Sequence, residues 1–157
     1  MFDVRTLFAA LRRPAPPTSA FARATIALDR GDFTTALAEL RDAHDVAIDD
    51  VVRAVIANKC GVAHIGLGDR DAALTAFDRA LAFDERCAPA LANLGNLLFE
   101  DRHIDDAIDH YRAAIRADEA YAIAHQNLGI ALKTLGRHGE AVRSLRAASR
   151  LAGKRRV

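Results

Sequence analysis

Histidine and cysteine are the side chains of this 157-residue chain with the most latent chemistry: proton transfer for the first, metal binding or nucleophilic attack for both. Their spacing argues against such use. His44, His64, His103, His110, His125 and His138 fall in unrelated registers, and neither Cys60 nor Cys87 has a CxxC partner or a histidine at ligand spacing. Both cysteines read as small buried residues in a reducing compartment. His64 falls on an apolar helix stripe, where a neutral core histidine with one hydrogen bond is the expectation. Asp101, Asp105, Asp106 and Asp109 form an acidic run, but acids at the start of a helix favour its dipole without further chemistry. Gly66-Leu67-Gly68 follows no strand and reads as a helix end, not a phosphate loop. The expectation is no enzyme, no metal and no cofactor.

The elements that would position these residues are helices. Apolar residues make up 51% of the chain, aromatics only 6% and tryptophan is absent, so Ala, Leu, Ile and Val carry the core, which suits helix-on-helix packing. The net charge of +1 conceals basic ends, Arg5, Arg12 and Arg13 at one and Arg150, Lys154, Arg155 and Arg156 at the other, around a mildly acidic body. A short terminal run of this kind is a solvated end, and no nucleic-acid role is expected. Asp3 and Arg5 interrupt the start where a secretory leader needs an unbroken apolar run, and no window reaches the length of a membrane span, so a cytoplasmic location is expected. Lysine occurs only at 59, 133 and 154 against many arginines, which points to a GC-rich bacterial genome.

The dominant signal is self-similarity at a constant offset of 34 residues. Gly61, Gly95 and Gly129 align without gaps, as do Ala73, Ala107 and Ala141, then Phe77, Tyr111 and Leu145, then Ala80, Ala114 and Ala148. Apolar residues recur at steps of three and four on both sides of a short polar break, so each unit reads as a helical hairpin. The small residues let the two backbones approach, and the large column fills the space beyond. A fourth copy precedes these at an offset of 37, from Arg30-Gly31-Asp32 onward, with three residues inserted around Val46 to Asp50 and the next helix starting near Val51.

Ala90-Leu91-Ala92-Asn93-Leu94-Gly95-Asn96, followed by Asp106-Ala107 and Tyr111, resembles the tetratricopeptide repeat. The likeness covers about 17–155, as repeats near 17–50, 54–87, 88–121 and 122–155. It departs where the family's early aromatic is missing and where Glu85, Glu119 and Gly153 replace the closing proline. The resemblance implies an all-α fold, a right-handed α-solenoid of four hairpins, whose inner surface is lined by the first helix of each unit and holds a protein or peptide partner. Leu91, Leu94, Gly95 and Leu98 form the core stripe of the best first helix, leaving Ala92, Asn93, Asn96 and Phe99 for the groove. The matching residues are Val55, Asn58, Lys59, Val62 and Ile65 in the second unit and Ile123, Gln126, Asn127, Ile130 and Lys133 in the fourth. Asn93 and Asn127, one period apart, are similar to the asparagine ladder with which O-linked N-acetylglucosamine transferases hold a peptide backbone; the alternative is bonding between neighbouring helices. The aliphatic residues likewise either meet a partner or pack between units. Lys59, Asn93, Asn96 and Lys133 do not reproduce the family's two-carboxylate clamp for chaperone tails.

The two ends carry expectations of their own. Val4, Leu7, Phe8 and Leu11 make an apolar stripe on an amphipathic helix over 1–13, stopped by a proline-rich linker at 14–17. It caps the first unit, fills a groove or docks elsewhere. The last helix still carries Val142, Leu145 and Leu151 with no covering helix after it, so the alternative to an adaptor is a self-associating oligomeric scaffold using groove, N-terminal helix and uncapped end.

Overall fold

The structure is a computed structural model that describes residues 19–154. The expected helix over 1–13, the linker 14–17 and the basic Arg155 and Arg156 lie outside the described residues. Those described form eight helices and no strand: α1 (Ala20–Asp29), α2 (Phe33–Asp45), α3 (Asp50–Gly66), α4 (Arg70–Phe83), α5 (Ala88–Glu100), α6 (Ile104–Ala117), α7 (Ala122–Thr134) and α8 (His138–Lys154). Each odd helix pairs with the even helix after it, and each even helix up to α6 packs on the next odd one, so four hairpins stack as an all-α solenoid.

The turns inside the hairpins repeat one solution. Gly31, Gly68 and Gly136 take φ values of 74°, 77° and 74°, where a Cβ is costly. The next amide then donates back across the helix end: Asp32 to the Ala27 carbonyl, Asp69 to His64 and Arg137 to Leu132, each at 2.9 Å. The third turn makes the same bond, His103 to Leu98 at 2.9 Å, but holds Arg102 at φ 68°. Asp32 and Asp69 also cap the second helices, accepting from the Thr35 and Ala72 amides at 3.1 Å.

Between hairpins, Asp84 and Asp118 accept from the amides of Arg86 and Ala120 at 2.9 Å, closing tight turns that need no proline. The junction of the first two units differs. The inserted residues extend α3 instead of lengthening the loop: Ala54 is the register equivalent of Ala88, where α5 begins, yet α3 starts at Asp50. Asp49 caps this extra turn, accepting from Val51 at 2.7 Å and Val52 at 3.3 Å. At ~1.5 Å per residue, four additional helical residues lift the connection about 6 Å past the level of the others.

Inside the last three hairpins a glycine faces a large side chain. A Cβ on Gly95 would lie 2.7 Å from the Tyr111 ring and 3.3 Å from the Ala107 carbonyl; one on Gly129 would lie 2.7 Å from Leu145 Cγ, and one on Gly61 would overlap the Phe77 ring. Ala73, Ala107 and Ala141 are buried beside them. The first unit solves the same packing with Ala24 opposite Leu40, both fully buried: a larger small residue matched to a smaller large one.

Candidate functional site

Helices α5 and α7 touch directly, whereas open clefts separate α2 from α4 and α6 from α8. The stack therefore closes on the side of its first helices and opens on the side of its second ones. α1, α3, α5 and α7 line the inner face, where the groove was expected.

That face carries branched aliphatics in the open. Val55, Val62 and Ile65 on α3 and Ile123 and Ile130 on α7 are between 37% and 50% exposed. Gln126 and Lys133 are exposed beside them. A cavity of about 200 Å³ opens among Asn96, Phe99, Glu100, Tyr111, Asn127 and Ile130.

The amides are placed differently from a row facing a ligand. Asn93 Nδ2 donates to Asn58 Oδ1 at 2.9 Å, and Asn127 Nδ2 donates to Asn96 Oδ1 at 2.8 Å. The Tyr111 hydroxyl donates to the same Asn96 oxygen at 2.9 Å. Asparagine pairs thus link α3 to α5 and α5 to α7, the interhelical bonding that the sequence left open. Burial pushes the Tyr111 hydroxyl up to about 12, with the Glu100 carboxylate adding to the shift, so it remains a donor.

Asn58 and Ala92 are buried and not open to the groove, and Phe99 and Lys59 are only half-exposed. Asn58 is 9% exposed and belongs to the interior, held there by its bond to Asn93. Ala92 is 1% exposed and packs in the core of the third and fourth units, with half-buried Phe99 against the same cluster. Ala92 and Phe99 lie on the side of α5 that meets a neighbouring helix, which a single-helix stripe does not reveal. Lys59 lies with Nζ 5.4 Å from the Phe21 ring centroid, tying α3 to α1.

Of the residues with latent chemistry, His44, Cys60 and His64 line one cleft, between α2 and α4. Among the described residues no group of three or more His, Cys, Asp and Glu side chains is placed to hold a metal. Burial raises the pKa of both Cys60 and Cys87, opposite to what activates a thiol. His64 Nδ1 is buried without a hydrogen-bond partner, so that nitrogen does not make the bond expected of a core histidine. No described helix is long and apolar enough to cross a membrane.

The outer clefts were not anticipated. One of about 810 Å³ lies between α2 and α4 over Ile56, Cys60 and His64; another of about 510 Å³ lies between α6 and α8. Arg112 and Arg116, four residues apart, and Arg143 and Arg150, seven apart, are a helical stripe in the sequence. They face one another because a cleft, bridged by the Arg112–Glu140 pair at 3.7 Å, runs between α6 and α8.

Among known proteins, the tetratricopeptide repeat profile matches residues 61–122 and 92–154, and a second profile of the same description matches 17–42. The curated proteins contain no significant sequence match. Solved structures share the fold: PilF of Pseudomonas aeruginosa, with a TM-score of 0.72 at 23% identity over 84% of this chain and 59% of that one; MamA, 0.66 at 24% over 87% and 78%; and the second repeat domain of Spaghetti bound to an HSP90 peptide, 0.58 at 23% over 63% and 92%. Family profiles spanning most of the described helices, on a solenoid of four such hairpins, make this chain a member of the tetratricopeptide repeat family.

Proposed function

We propose that the chain is a non-catalytic adaptor whose inner face holds an extended or helical segment of another protein. The carrying observation is the row of half-exposed aliphatics, Val55, Val62, Ile65, Ile123 and Ile130, aligned on the inner helices of a family of interaction modules. Covering such side chains returns about 25 cal/mol per Å² of apolar surface, and their branched shapes are stiff, so little rotamer freedom is lost on binding. The asparagine pairs fix the spacing of α3, α5 and α7 and so the spacing of the row.

The segment should be apolar in its contacting residues. The Spaghetti domain was solved with an HSP90 peptide, SRMEEVD. Here the groove supplies little to grip an acidic tail: Lys59 is turned onto Phe21, and Asn93 and Asn96 bond within the solenoid, leaving Lys133.

Selection from a displayed peptide library, followed by chemical-shift mapping of the best binder, tests this reading. The expected result is perturbation along α3, α5 and α7, with binding lost in Val62→Asp/Ile130→Asp while circular dichroism is unchanged. Selected peptides that map to the outer face, or that bind the double variant equally well, would overturn it.

A further inference from the structure

Two surfaces outside the groove are complementary in charge, and both are apolar at the centre. The first is the cleft between α6 and α8, about 510 Å³ with a lobe of about 390 Å³. Its floor is apolar, from Ile115, Leu128, Ala147 and Leu151. Its rim is Arg112, Arg116, Arg143 and Arg150, with the Glu119 carboxylate among them and Glu140 beside Arg112 and Arg143. Arg116, Arg143 and Arg150 form no ion pair with a described residue, and the ion pairs of Arg112 are long, 3.5 Å to Asp109 and 3.7 Å to Glu140.

The second surface is the connection Asp45-Val46-Ala47-Ile48-Asp49-Asp50, raised by the extra turn of α3. Val46 is 76% exposed and Ile48 96%, with Val51 and Val52 exposed after them. Asp45, Asp49 and Asp50 flank the aliphatics, and only Asp50 has an arginine partner, Arg53 at 3.0 Å. Branched side chains do not stay this open in water without cost, and here they form a knob with an acidic border. An apolar, arginine-rimmed cleft is its complement.

The two cannot meet within one molecule, because the stack holds the knob between the first and second units and the cleft between the third and fourth. The larger cleft between α2 and α4 suits the knob less well: Asp45 itself lines it, and its Arg79 already contacts His44 Nε2 at 3.2 Å. We propose that the 45–52 knob of one copy seats in the α6–α8 cleft of a second copy, a head-to-tail contact that leaves the inner groove open. Such a contact is heterologous, so each copy keeps a free knob at one end and a free cleft at the other, and chains or rings follow.

Sedimentation equilibrium of the full chain tests this over a concentration series reaching about 1 mM, where weak association is still measurable. The weight-average mass is expected to rise with concentration at low salt and to fall at ~1 M salt, where the Debye length is about 3 Å. Ile48→Asp and Arg143→Glu/Arg150→Glu each remove the rise; all three positions are exposed, so circular dichroism stays that of the parent. Mixed one to one, the two variants form a dimer and nothing larger, since one supplies only a cleft and the other only a knob. A monomer throughout the series overturns the proposal. So does association that survives in either variant, or a mixture that remains monomeric.

Discussion

The Tyr111 hydroxyl sits where burial, a hydrogen bond and a nearby carboxylate all favour its neutral form. Its folded pKa of about 12 lies above the value of about 10 for an exposed tyrosine. The folded state therefore holds this proton longer than the unfolded one, and the stability it confers is complete below about pH 10 and lost as pH rises toward 12. An ultraviolet titration should show Tyr111 ionising late, with the midpoint of denaturation falling over the same range; Tyr111→Phe should flatten that fall and cost about 1 kcal/mol at neutral pH for the hydrogen bond to Asn96. Gly61 gives a second test. Alanine in an exposed helix gains up to about 1 kcal/mol over glycine, but here its Cβ would overlap Phe77, and overpacking costs about 1–3 kcal/mol. Gly61→Ala should thus destabilise in urea titrations. Adding Phe77→Leu, which recreates the Ala24–Leu40 pairing of the first unit, should recover part of the loss.

At the scale of the element, the four hairpin turns are alike in hydrogen bonding and differ in one residue. Arg102 holds the left-handed position that glycine holds in the other three, at a cost of about 1–2 kcal/mol for a side chain. Its guanidinium is exposed and makes no described contact, so nothing offsets that strain. Arg102→Gly should raise stability by about 1 kcal/mol, read as a higher urea midpoint at unchanged slope. The extra turn of α3 is an element-scale event as well. Its acids and aliphatics form a knob only because the insertion became helix, capped by Asp49, instead of a longer loop.

Across the whole molecule, position in the stack decides what an identical register is worth. Ile108 on α6 is 1% exposed because α7 covers it; Val142, its equivalent on α8 one period later, is 46% exposed. Ile108→Ala should cost about 2–5 kcal/mol, as a cavity in a closed core does, while Val142→Ala should change stability by less than about 1 kcal/mol. The pair, compared by chemical denaturation, measures what a following unit contributes. Equal losses would mean that the last hairpin is covered by something other than the described helices.

The period of 34, the small and large columns, the polar breaks between paired helices and the helix start near Val51 were all legible in the residues, because each is a local requirement of backbone geometry or of the contact between two adjacent helices. The groove face was legible in part: the aliphatic row follows from helical spacing, but Asn58 and Ala92 lie inside. Whether a residue on a second stripe meets solvent depends on the next helix, and a single-helix projection contains no next helix. The asparagines could equally have faced a ligand, since an amide bonds as readily to a peptide as to another amide; only the distance from α3 to α5 and from α5 to α7 settled that they bond to each other. The outer clefts were decided by tertiary structure alone. Curvature of the stack keeps adjacent second helices apart, and arginines that read as solvated surface in sequence come to face one another across the gap.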